Sequence, residues 1–168
     1  MTQLGTSTAL VGQGVNFNGA TAKMNFSDGW TLNNDSFTIE MAIYTSTLGW
    51  RALYFKDVGA ATRYILAIIS DTGALGLYVY DGTTNINSLD AGTNWADGSW
   101  HCVHFIRDRQ NYVIQTYVDK DLTKSTADTA TNFTLNNWSE LGTDNWNRFY
   151  AERMDEFRLY NRTLTMRS

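Results

Sequence analysis

Apolar and polar residues alternate along this chain in short runs, separated by clusters of Asn, Asp, Gly and Thr, a pattern of strands and turns rather than helices. The clearest alternation is Phe37-Thr38-Ile39-Glu40-Met41-Ala42-Ile43-Tyr44, which predicts a strand with Phe37, Ile39, Met41 and Ile43 on one buried face. Asp97-Gly98 opens a longer run over residues 100–108. After the polar turn Arg109-Gln110-Asn111, a second run over 112–118 ends at Asp119. Both runs are aromatic and β-branched but alternate imperfectly, so they predict a hairpin covered on both faces and central to a sandwich. Residues 50–56, 63–70 and 74–80 predict a meander, with Asp57-Val58-Gly59, Asp71-Thr72-Gly73 and Asp81-Gly82 as its turns. Upstream, residues 9–11, 14–17 and 22–26 read as short strands, with Asn18-Gly19 as a tight hairpin turn. Residues 153–165 read as a closing strand. Two long polar stretches, 83–96 and 120–146, predict functional loops or short strands too weak to show in a single sequence.

Composition narrows this picture to an all-β fold. Aromatics make up 14% of the 168 residues and charged groups only 18%, and neither a linker nor a repeat divides the chain, which predicts one domain over residues 1–168. A formal charge of −4, without clustered Lys or Arg, argues against nucleic acid as a partner. Cys102 is the single cysteine, which excludes an intrachain disulfide. No apolar run approaches membrane-spanning length, and the first residues lack the basic and apolar regions of an export signal, so neither a membrane partner nor export is expected.

Three ordered segments carry a resemblance. They are Val15-Asn16-Phe17-Asn18-Gly19 with Phe37-Thr38-Ile39-Glu40, Asp97-Gly98-Ser99-Trp100-His101-Cys102-Val103 with Tyr117-Val118-Asp119, and Met154-Asp155-Glu156-Phe157-Arg158-Leu159-Tyr160-Asn161-Arg162. Together they resemble the laminin-G-like jelly rolls of the concanavalin A-like lectin/glucanase superfamily. That resemblance implies an antiparallel two-sheet β-sandwich. Asn18 stands where these domains usually carry Asp, and Lys120 where they carry Gly.

Catalytic members of that superfamily place two carboxylates on one strand face as Glu-x-Asp-x-x-Glu, since retaining hydrolysis needs carboxyl groups about 5 Å apart. Glu40, Glu140, Glu152 and Glu156 belong to no such motif, and Asp155 and Glu156 are adjacent, so a non-enzyme is expected. His101 and His104 fall on opposite strand faces and read as packed residues rather than metal ligands. By alternation, Asp155 shares a face with Phe157 and Leu159, which would bring a carboxylate toward the core. The resemblance implies a structural calcium there, completed by backbone carbonyls and water; a carboxylate satisfied by backbone N–H groups is the equal alternative.

Trp and Asn or Asp in loops suit carbohydrate, because sugar C–H faces stack on aromatic rings while hydroxyls bond polar groups. Trp95, Trp138, Asp144 and Trp146 are the candidate glycan contacts, with Trp50, Tyr78 and Tyr80 as further aromatics. Sandwich caps or a protein interface explain the same residues equally well. The resemblance also extends to exposed domains of phage virions. It leads to the expectation of a non-catalytic virion surface protein with a capsid or tail partner, anchored through residues 1–5 and loop aromatics, and to a homo-oligomer as one assembly. A glycan-binding lectin domain from a larger extracellular protein is the alternative.

Overall fold

The computed structural model describes residues 5–8, 13–27, 29–59, 62–131, 134–136 and 138–165. The expected strand at residues 9–11 and residues 1–4 of the expected anchor lie outside that set. Among the described residues there are fifteen strands and no helix, and every pairing is antiparallel. One sheet of seven runs in the order β1 (Gly5–Thr8), β2 (Gln13–Asn18), β15 (Ala151–Tyr160), β5 (Phe37–Tyr44), β10 (Trp100–Asp108), β11 (Val113–Val118) and β12 (Asp121–Ala127). A second sheet of six runs β3 (Met24–Phe26), β14 (Ser139–Leu141), β6 (Arg51–Asp57), β7 (Tyr64–Ile69), β8 (Leu75–Tyr80) and β9 (Asn85–Asn87). The short strands β4 (Leu32–Asn33) and β13 (Thr134–Leu135) pair with each other.

The sheets pack face to face because each contributes one apolar side to a common core. Ile39, Met41, Val103 and Phe105 from the larger sheet meet Ile65, Ala67, Leu77 and Val79 from the smaller. The predicted central hairpin is β10–β11, and β10 also pairs along its length with β5. The predicted meander is β6–β7–β8. The polar stretches carry β9 in the first and β12, β13 and β14 in the second. These strands are too short and too polar for period-two alternation to reveal them.

Two expectations are corrected. Asn18-Gly19 closes no hairpin: β2 pairs in the larger sheet and β3 in the smaller, so the turn carries the chain across the sandwich. The Asn18 side-chain oxygen holds it by accepting the N–H groups of Ala20, Thr21 and Ala22 at 2.8–3.0 Å. β5 is covered on both faces, since Thr38 and Ala42 are as buried as the core residues beside them. At the closing strand, a bulge between Asp155 and Arg158 adds one residue to β15; Phe157 and Leu159 pack on the core, and Asp155 lines a hollow beside Val15, Phe17, Leu141 and Phe157.

Candidate functional site

The outer side of the smaller sheet carries a second apolar layer. Register explains it: Phe55 pairs with Leu66, Leu66 with Tyr78, and Tyr64 with Tyr80, so these side chains stand together on the face turned away from the core. A bulge between Ala52 and Tyr54 sends both Leu53 and Tyr54 into the core and returns Phe55 to the outside. Ala52, Phe55, Leu66 and Ile68 form this separate cluster, with Tyr64, Tyr78 and Leu89 packed over it.

The segment after β14 adds the roof. Gly142 has a φ of 77° and a Cβ there would lie 2.3 Å from the Phe17 ring, so only glycine makes this turn. The loop that follows is closed by the Tyr150 N–H on the Gly142 carbonyl at 2.8 Å, and tied to β6 by the Ala52 N–H on the Arg148 carbonyl at 2.9 Å. Asp144 organises its interior. One carboxylate oxygen accepts the N–H groups of Trp146 at 2.9 Å and Arg148 at 3.2 Å, and the other accepts Arg148 Nε at 2.6 Å.

Trp146 is thereby laid edge-on against Tyr64 at 5.3 Å and Phe55 at 6.0 Å between ring centres, with the Arg148 guanidinium 4.9 Å from its own ring. The result is an open groove of about 580 Å³ lined by Trp50, Tyr64, Leu66, Tyr78, Asn85, Trp146 and Arg148. Trp50 and Trp146 remain 40% and 49% exposed, an unusual outlay of large apolar surface. Burial pushes both the Tyr64 and Tyr78 phenols above their ordinary pKa, against the nearby Arg148 charge, so both hydroxyls stay protonated at neutral pH.

A smaller hollow of about 250 Å³ adjoins this groove through Phe55. Asn25, Asp57, Trp138, Glu140 and Asn145 complete its lining, and Trp138 is 65% exposed. Here the fold gathers two carboxylates that no sequence motif links. Each is engaged by a protein donor: Glu140 by Lys23 Nζ at 3.2 Å and Asp57 by Asn145 Nδ2 at 2.7 Å.

Of the four expected glycan contacts, the structure brings two to this face. Trp146 lines the groove and Trp138 the adjoining hollow. Asp144 is only 3% exposed with both oxygens committed, so it positions Trp146 and Arg148 instead of reaching a ligand. Trp95 is elsewhere, packed against the core with its ring edge-on to His101 at 5.1 Å. His101 in turn bridges Asp119 at 2.8 Å and Asp97 at 3.1 Å, the packed and hydrogen-bonded histidine that was expected. Sequence reasoning missed Tyr64, Phe55 and Arg148. The available signal was that β6 and β7 are apolar at both parities, the mark of a strand with two occupied faces.

Asp155 is partly buried, and one of its oxygens accepts the Glu156 N–H at 2.8 Å. Among the described residues, no three His, Cys, Asp or Glu side chains gather to hold a metal. Calcium at Asp155 would therefore depend on backbone carbonyls and water around one carboxylate.

A family profile described as the concanavalin A-like lectin/glucanases superfamily (Laminin_G_3) matches residues 18–168. No curated protein sequence matches the chain. Among solved structures, the chain is similar to domain 4 of AbnA, a GH43 extracellular arabinanase from Geobacillus stearothermophilus, in complex with arabinotriose. The TM-score is 0.83 at 18% identity, covering 98% of this chain and 78% of that one. It is also similar to the sialidase CBM40 of Ruminococcus gnavus bound to α2,3-sialyllactose, with a TM-score of 0.71 at 12% identity, covering 90% and 91%. Mouse laminin α1 domains LG4-5 give a TM-score of 0.74 at 12% identity, covering 88% of this chain and 42% of that one.

Proposed function

The chain belongs to the concanavalin A-like lectin/glucanases superfamily, and from that premise we propose that it is a non-catalytic module that binds a glycan on the outer face of its six-stranded sheet. The observation that carries this reading is the mixed character of the groove. Trp50, Trp146, Tyr64 and Tyr78 offer ring faces for sugar C–H surfaces, and the two phenols, Asn85 and Arg148 offer hydrogen bonds beside them. The saccharides bound by the Geobacillus and Ruminococcus domains support the same use of this fold.

The reading as a binding module rests on the state of the two gathered carboxylates. Asp57 and Glu140 are both tied to protein donors in the adjoining hollow, whereas a retaining or inverting pair must be free to exchange protons with substrate and water. The setting proposed with this function is a virion surface, with a capsid or tail protein as anchoring partner. Recovery of the chain among the proteins of washed particles tests it, and absence from them overturns it.

Binding is tested by a glycan array followed by calorimetry on the hits, in calcium and in chelator. Trp146→Ala is expected to weaken a hit about 10- to 100-fold, the loss of one stacked aromatic, with the melting temperature little changed. An unchanged affinity in Trp146→Ala overturns the assignment of the groove, and release of reducing ends from the bound oligosaccharide overturns the non-catalytic reading. Calcium at Asp155 is proposed as a structural ion only, so it is expected to raise the melting temperature of the native chain and not of Asp155→Ala. Equal melting in both solutions removes it.

A further inference from the structure

Among the described residues that line the groove Arg148 is the only charged one, and the structure gives it an unusual state. Its Nε is consumed by Asp144 Oδ2 at 2.6 Å, and the Asp144 side chain is fully buried behind it. Its flank lies against the Trp146 ring, with the guanidinium carbon 4.9 Å from the ring centre. These contacts fix the plane of the guanidinium. Among the described residues, Nη1 and Nη2 have no hydrogen-bond partner, and the side chain is 28% exposed at the groove.

A fixed fork of this kind matches a carboxylate, because two parallel N–H groups meet its two oxygens and the opposite charge strengthens both bonds. A pair of neutral vicinal hydroxyls could also accept from both donors, but without the opposite charge that strengthens the carboxylate pair. The lining of the two neighbouring hollows differs in the same sense. Among the described residues no acidic side chain lines the groove, whereas Asp57 and Glu140 both line the hollow beyond Phe55 and would repel an anion there.

From this we propose, resting on the glycan-binding reading above, that the ligand is an acidic glycan whose carboxylate-bearing sugar sits on Trp146 with its carboxylate on the Nη fork of Arg148. Any neutral continuation of the chain runs toward Trp138. The chemistry is shared by uronic acids and sialic acids, and the groove reads the carboxylate beside the pyranose ring in either.

The test compares matched pairs on the unmodified protein by calorimetry: oligogalacturonate against its methyl ester, and α2,3-sialyllactose against lactose. At least one acidic member is expected to bind about 10- to 100-fold more tightly than its neutral partner, the worth of a charge-assisted hydrogen-bonded pair. Which pair shows the preference separates the two sources. In Arg148→Gln that acid-to-neutral ratio is expected to collapse toward one, while in Trp146→Ala both members weaken and the ratio persists. The ratio is read within each variant, so a general loosening of the loop does not imitate the result. Tight binding of neutral sugars in the groove with a ratio near one in the native protein overturns the acidic-glycan assignment and leaves the glycan-binding function standing. Failure of every saccharide, acidic and neutral, overturns both. A ratio that survives in Arg148→Gln overturns the role of Arg148.

Discussion

The two sheets turn opposite kinds of surface outward. On the six-stranded sheet, Phe55 and Leu66 are roofed by Tyr64, Tyr78 and Trp146, and the roof itself is left open to solvent. On the seven-stranded sheet, the equivalent face is polar and only partly covered, around a hollow of about 580 Å³ lined by Glu40, Cys102, His104, Asp119, Lys120, Leu164 and Thr165. The Thr38 hydroxyl donates to the Arg162 carbonyl at 2.9 Å and accepts the Leu164 N–H at 3.0 Å, which fastens the segment after β15 across it. Glu40 pairs with Arg158 at 2.6 Å, Arg158 also contacts Glu156, and His104 lies 3.6 Å from Glu40. The difference teaches where to look for binding in a sandwich of this kind. An outward face whose charged groups mostly pair with one another, His104 Nδ1 excepted, has less to offer a ligand than the aromatic face, which leaves rings and donors uncommitted.

The comparison breaks most severely if the loop that builds the open face is not held as described. Asp144→Ala removes the acceptor of two backbone N–H groups and the partner of Arg148. It is expected to destabilise the fold by about 2 to 3 kcal/mol, less than the loss of a fully buried pair because Arg148 reaches solvent. Urea denaturation measures this, and glycan affinity should fall with it because Trp146 and Arg148 lose their seat. A stable variant with an intact groove would show that the loop is held by other means. Next in size is Thr38→Val on the polar face, which keeps shape but strands the Arg162 carbonyl and the Leu164 N–H. The expected cost is about 1 to 2 kcal/mol, with glycan affinity unchanged. Loss of affinity in that variant would mean that the two faces are not independent.

Much of this was written in the chain. Alternation in residues 37–44, the Asp97-Gly98 hairpin and the three-run meander marked the central strands, because those runs are long, aromatic and β-branched and are bounded by turn residues. The site was legible only in part. Trp146 and Trp138 stood out as aromatics among polar residues, but Tyr64 and Phe55 sit in strands where both parities are apolar, and nothing local says which parity faces the core. Strand pairing decides that, and the bulge at Ala52–Tyr54 shifts it by one residue. The bulge beside Asp155 likewise leaves no mark in the sequence. Asp144 was read as a contact because a carboxylate beside Trp suits a sugar, yet its spacing to Trp146 and Arg148 equally suits a side chain that caps its own loop.

The smallest effect sharpens the comparison through pH. His104 stands on the polar face, where burial lowers its pKa from 6.5 although Glu40 pulls the other way. Around it are Glu40 from β5, Arg158 and Glu156 from β15, Cys102 on its own strand, and Asp119 and Lys120 at the turn after β11. Burial also raises the Cys102 thiol, so it stays neutral in the acid range. A histidine that is harder to protonate folded than unfolded favours the folded state fully above the unfolded pKa. That contribution is lost as pH falls below about 6.5, at no more than about 1.4 kcal/mol per pH unit for one proton, until the folded pKa is passed. Stability of the native chain is therefore expected to decline as pH falls below about 6.5, with a component that His104→Gln removes. Glycan affinity carries no such component from His104, because no histidine lines the aromatic groove. Parallel profiles for the native chain and His104→Gln would show that the polar face accommodates the imidazolium, with Glu40 outweighing burial.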